Sequence, residues 1–218
     1  MALTKVTNEL IEDLIISGTN NTGLGEGALD SLTSGNFNTA FGKDALTANT
    51  EGEQNNAFGN NALAANTTGD LNVAIGQAAL FSNTTASNNT AVGENALFSN
   101  TTGTENVAVG TFALDACTTG STNVGIGVNS LGALTTGVGN TAIGDDSVAT
   151  GVVTGNYNTA LGNSTLDALT SGTLNVAVGR LALAANTTAS NNTAVGTQAL
   201  GANTTASNNT AVGYQALT

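Results

Sequence analysis

Histidine is absent from these 218 residues, and with it go the commonest general base, most zinc sites and the Ser or Cys triads that depend on an imidazole. Basic residues are nearly as scarce: Lys5, Lys43 and Arg180 stand against 15 acids, for a net charge of −12. Three cations cannot neutralise a phosphate backbone, so nucleic acid is not an expected partner. The single cysteine, Cys117, reads as a tolerated small residue of a reducing compartment, and one thiol does not make a metal site. No apolar run approaches transmembrane length, so membrane insertion is not expected. Proline is missing too, and charged residues are only 8% of the chain. Such a composition would suit disorder, were the bulky apolar residues not held at fixed spacing.

That spacing is the main content of the sequence. Glycine recurs at 25, 42, 59, 76, 93, 110, 127, 144, 162, 179, 196 and 213, at intervals of 17 residues in ten cases and 18 in one. Counting from this glycine, Asn stands four places before it in every copy: Asn21, Asn38, Asn55, Asn72, Asn89, Asn106, Asn123, Asn140, Asn158, Asn175, Asn192 and Asn209. The residue two before is only Ala or Gly, and the one immediately before is bulky and apolar, as in Leu24, Phe41, Ile75, Val92 and Val212. Three places after comes Ala, Ser or Thr, and four places after comes Leu, except for Val148. A period of this length belongs to a solenoid.

The expected fold class is all-β: a parallel β-solenoid of twelve coils over residues 18–218, with a distinct leader over 1–17. Helical pairs need about 30 or more residues per unit, and the recurring Gly and Asn-Thr-Thr-Gly punctuation breaks any 3.6-residue pattern. Two or three short strands per coil are expected. In Asn89-Thr90-Ala91-Val92, Thr90 and Val92 face one way while Asn89 and Ala91 face the other. The following glycine turns the chain into a second segment, Ala96-Leu97, and Asn100-Thr101-Thr102-Gly103 makes the return turn. Coils stacked at strand spacing give a rod on the order of 53 Å long.

Residues repeated at that spacing form ladders, and the Asn column is expected to place its amides between successive coils, satisfying polar groups at a corner. A ligand-binding Asn array is the other reading. The large core residues of each coil are expected to be the Val-type residue before Gly and the Leu after it, with Ala filling elsewhere. The Ala two before each Gly is expected to line a close contact, within the coil or between chains. An Ala-lined face on so thin a coil invites another copy, and rotational closure gives a cyclic oligomer, for which three chains are expected.

Segments such as Asn89 to Leu97 and Asn192 to Leu200 resemble the repeat units of the head domain of trimeric autotransporter adhesins of the YadA type. That resemblance implies a left-handed parallel β-roll with three chains side by side. It covers nearly the whole chain after the leader, and departs from the family in unit length and in its regular Asn-Thr-Thr-Gly turn. Similar Asn-Thr-Ala-Val-Gly repeats typify phage and phage-like fibre proteins. An autotransporter carries a secretion signal, whereas Leu10-Ile11 and Leu14-Ile15-Ile16 are split by Glu12-Asp13. The opening residues Leu3, Thr4, Lys5, Val6 and Thr7, with Ile11 and Glu12, resemble the start of many phage tail fibres and tailspikes, where the segment docks the protein onto the virion. An amphipathic cap over the first coil is the alternative for the same residues.

No catalytic, cofactor or metal site is expected. Val-Gly-x-x-Ala-Leu resembles the hexapeptide of left-handed β-helix acyltransferases, but occurs once per coil, and those enzymes use a His this chain lacks. Paired acids in the manner of tailspike glycosidases have one candidate, Asp145-Asp146 beside the 18-residue interval, read as solvated acids at a bulged loop. Regular acidic calcium ligands are absent, and the sequons at Asn66, Asn83 and Asn100 arise from the repeat itself. Ice binding by Thr67-Thr68, Thr84-Thr85 and Thr187-Thr188 is disfavoured, because adjacent strand residues face opposite ways. Phe81 and Phe98 are candidate receptor contacts or packing between chains. The expectation is a non-enzymatic homotrimeric fibre subunit of a phage virion. It would attach to a tail or capsid protein through its N-terminus and reach toward a host glycan or protein; a cell-surface adhesin is the alternative.

Overall fold

The computed structural model describes residues 19–218; the docking positions Leu3 to Glu12 lie outside the described residues. Each repeat contributes one three-residue strand. They are β1 (Thr22–Leu24), β2 (Thr39–Phe41), β3 (Asn56–Phe58), β4 (Val73–Ile75), β5 (Thr90–Val92), β6 (Val107–Val109), β7 (Val124–Ile126), β8 (Thr141–Ile143), β9 (Thr159–Leu161), β10 (Val176–Val178), β11 (Thr193–Val195) and β12 (Thr210–Val212). All twelve lie in chain order in a single parallel sheet, a β-solenoid, each pair in register one repeat apart, as Ala91 is opposite Ala108.

One strand per coil, rather than two or three, follows from what happens after the glycine. Gly93 has φ +136°, and a Cβ there would lie 2.5 Å from the carbonyl oxygen of Gly110, so the column admits glycine alone. The expected second segment is a turn: Asn95 and Leu97 take left-handed φ of 55° and 53°. A third left-handed residue, Asn88, precedes the strand. Non-glycine residues in this region cost on the order of 1 kcal/mol each. Here each turns its amide along the rod: Asn88 N–H donates to Asp70 O, Asn95 N–H to Gln77 O and Leu97 N–H to Ala113 O, all near 3.0 Å. The strain is tolerated because these hydrogen bonds bind one coil to the next.

The core also differs from expectation. Strand alternation does place Asn and Ala together, but theirs is the inward side. Ala40, Ala57, Ala74, Ala91 and Ala108 are fully buried, packed with the Leu column (Leu46, Leu63, Leu80, Leu97 and Leu114) and the small residues before it. The Val-type residue faces outward: Ile75 and Ile143 remain 42% and 41% exposed. A coil this narrow has room for one large side chain opposite a methyl group, so the second large residue is expelled. The Ala face is therefore internal and is not a surface for a partner.

The extra residue of the long repeat does not fall at Asp145-Asp146. Asp146 N–H donates to Val128 O, the same bond that its counterparts make in other coils. The register breaks after Val148 and resumes at Val153, which bridges Leu134 and is fully buried. Gly151, at φ +82°, absorbs the bulge and leaves Val152 outside.

Candidate functional surface

The predicted Asn column lies inside the rod. From Asn38 to Asn209, the backbone N–H of each column Asn donates not to a backbone carbonyl but to the Oδ1 of the column Asn one coil earlier, at 2.8–3.1 Å across all eleven steps. From Asn21 to Asn175 the side-chain amide then closes the return turn, as Asn106 Nδ2 donates to Gly120 O at 2.8 Å. Eleven backbone donors at a buried corner, which no strand partner reaches, are satisfied by this means. With Asn55, Asn72, Asn89, Asn106 and Asn123 fully buried and their amides engaged, the column is closed to a ligand.

A second Asn column was not foreseen, although its 17-residue spacing is as visible as the first. Asn66 Nδ2 donates to Asn49 Oδ1, Asn83 Nδ2 to Asn66 Oδ1 and Asn100 Nδ2 to Asn83 Oδ1, at 2.8–2.9 Å, and each Nδ2 also reaches the carbonyl three residues on. Cys117 ends the run. Its Sγ reaches Gly120 O at 3.6 Å but offers nothing to Asn100 Oδ1, which is buried without a partner. Burial pushes the Cys117 thiol up to about 12, so at neutral pH it is an inert filler.

The outer surface is organised in lengthwise stripes. On the sheet face the residues before each glycine (Leu24, Phe41, Phe58, Ile75, Val92, Val109, Ile126 and onward) make an unbroken apolar row beside a second row of Thr, Val and Asn. Phe41 and Phe58 stack in this row with ring centroids 5.2 Å apart. At the return turn the first Thr of each pair is occupied, as Thr67 Oγ1 donates to Thr84 O at 3.0 Å, while Thr68 is exposed. Half of each pair is thus withdrawn from any lattice-matching surface.

On the turn face, Asp146 accepts from Asn129 Nδ2 at 2.9 Å. Burial, and secondarily the charge of Asp146, hold the Asp167 carboxyl above the usual range. No group of three or more His, Cys, Asp or Glu able to hold a metal occurs among the described residues. Phe81 and Phe98 stack on each other within the chain, centroids 5.1 Å apart. Above them Asn95, Phe98, Phe112 and Asp115 line a hollow of about 220 Å³. No helix among the described residues is long and apolar enough to cross a membrane. No family profile, curated protein or solved structure matches the chain significantly.

Proposed function

We propose that the chain is a structural fibre subunit of a phage virion, in which three copies lie side by side as a rod that spaces or presents a surface toward the host. The observation that carries this reading is the sheet-face apolar row. It runs the whole length of the sheet, with Leu24 at 46% and Ile126 at 37% exposure in the single chain. A contiguous apolar stripe of such length marks an association surface, and a straight self-complementary stripe is removed from water most simply by other copies of itself. The number three and the virion setting come from the resemblance of the repeats and of the opening residues to fibre proteins. Attachment is assigned to Leu3 to Glu12, with the tail or capsid as partner.

Sedimentation equilibrium tests the assembly: the parent chain is expected at three times the monomer mass, and the double variant Ile126→Lys/Ile143→Lys at monomer mass with unchanged circular dichroism. A parent monomer at micromolar concentration would overturn the trimer. Deleting residues 1–17 is expected to leave the rod folded and abolish its incorporation into particles, and normal occupancy of the truncated chain would overturn the docking role.

A further inference from the structure

The hollow on the turn face has the chemistry of a receptor for an organic cation. Two successive coils build it. Asn95 and Phe98 come from one coil and Phe112 and Asp115 from the next, so each coil supplies one phenyl ring and one polar group. The backbone tie between the coils is direct: Phe112 N–H donates to Glu94 O and Ser99 N–H to Asp115 O, both at 3.0 Å. Phe81, stacked beneath Phe98 within 5° of parallel, fixes that ring from below. Phe112 is 41% exposed at the rim.

The electrostatics select the sign of the ligand. Asp115 is partly withdrawn from water and carries hydrogen bonds from its own and the Ala116 backbone N–H, without a cationic side chain beside it. The described cations, Lys43 and Arg180, each sit four coils away, roughly 19 Å along the rod at strand spacing and beyond effective screening distance. Glu94 lies exposed at the edge of the same patch. A carboxylate that shares a hollow with two phenyl rings attracts a large, weakly hydrated cation through charge and ring quadrupole together.

We propose that Phe98, Phe112, Asp115 and Asn95 form a binding site for a trimethylammonium group, free or as a lipid headgroup. The site is complete within one chain and lies away from the sheet face, so it stands or falls independently of the trimer. Calorimetric or NMR titration of the full chain with choline is expected to show saturable binding at millimolar concentration, with 3,3-dimethylbutan-1-ol, its uncharged counterpart, at least about tenfold weaker. Asp115→Asn and Phe112→Leu are each expected to weaken choline by about threefold to thirtyfold while melting like the parent. Co-sedimentation with phosphatidylcholine vesicles, competed by choline, assigns the headgroup, and choline binding without it assigns a free solute. Choline failing to bind at 50-fold above about 1 mM, equal binding of the alcohol, or full binding by both variants would each overturn the site.

Discussion

The backbone amide of Asn106 donates to the side-chain Oδ1 of Asn89 at 3.0 Å, replacing a carbonyl that the turn geometry cannot supply. The same Asn89 sends its Nδ2 to Gly103 O at 2.9 Å, so a single side chain both holds the following coil and closes its own return turn. Asn89→Ala leaves the buried Asn106 N–H unpaired, while Gly103 O keeps its bond from Asn100 Nδ2 at 3.0 Å. At about 1 to 3 kcal/mol for an orphaned buried donor, a loss of that size per chain is expected from urea unfolding. A loss below about 0.5 kcal/mol would mean that water reaches the corner.

Ala108 illustrates the inward side of the strand. At the equivalent place one coil on, a Cβ built on Gly125 would meet the Leu114 side chain at 3.3 Å, so this column packs against the Leu of the preceding coil. Ala108→Leu has no space to enter, and overpacking is expected to cost about 1 to 3 kcal/mol. Thr102→Ser, at an exposed turn position, is expected within about 0.5 kcal/mol of the parent. Parallel thermal melts decide it, and an Ala108→Leu rod as stable as the parent would contradict the buried Ala column.

Most of the architecture is legible in the spacing of the glycines, because an array that repeats without gaps can only stack. What was not legible is which side of the strand faces in. Period-two alternation groups Ala91 with Asn89 and Val92 with Thr90, but hydrophobicity alone assigns Val92 to the interior. Volume decides against it: a coil that already encloses Leu97 accepts a methyl group opposite, and the Asn ladder claims the remaining inward position. The turn was equally hidden, since Leu97 at positive φ contradicts the ordinary preference of a bulky residue. The hollow at Phe98 and Asp115 needs two coils to exist, and so has no local signature.

Leu174 offers a test of that turn chemistry. It sits before its column Asn at φ +58° and is 54% exposed, where other coils carry Asn20, Asn88, Asn191 and Asn208. Asparagine tolerates the left-handed region better than leucine. Leu174→Asn is expected to raise stability by about 0.5 to 1 kcal/mol, read as a higher melting temperature. A decrease would show that Leu174 packs against something that its exposure conceals.

Cys117 is expected to resist iodoacetamide at pH 8 in the folded chain and to react once urea opens the rod, because its thiol is buried and raised to about 12. Replacing it lengthens the second ladder. In Cys117→Asn the new Nδ2 can donate to Asn100 Oδ1, now without a partner, and to Gly120 O, as the preceding Asn residues do. The new Oδ1 would then face Leu134, so the orphan acceptor moves one coil rather than vanishing. A gain of no more than about 1 kcal/mol is expected, read from parallel thermal melts.

Asp167 gives the pH dependence a sign. Its carboxyl is raised in the folded chain by burial, then by Asp146, so the native state holds the proton more tightly than the unfolded state does. Stability from this group is fully present below the unfolded carboxylate range and is lost as pH rises through the folded value. Asp115 acts in the same direction, by burial. Asp167→Asn is therefore expected to melt higher than the parent at pH 7 and to converge with it on acidification toward pH 3, where the parent carboxyl is protonated. Melting curves of both chains at pH 3, 5 and 7 measure this. A variant that gained equally at all three values would be acting through packing, and one that lost stability at pH 7 would mean that the charged carboxylate is needed where it stands.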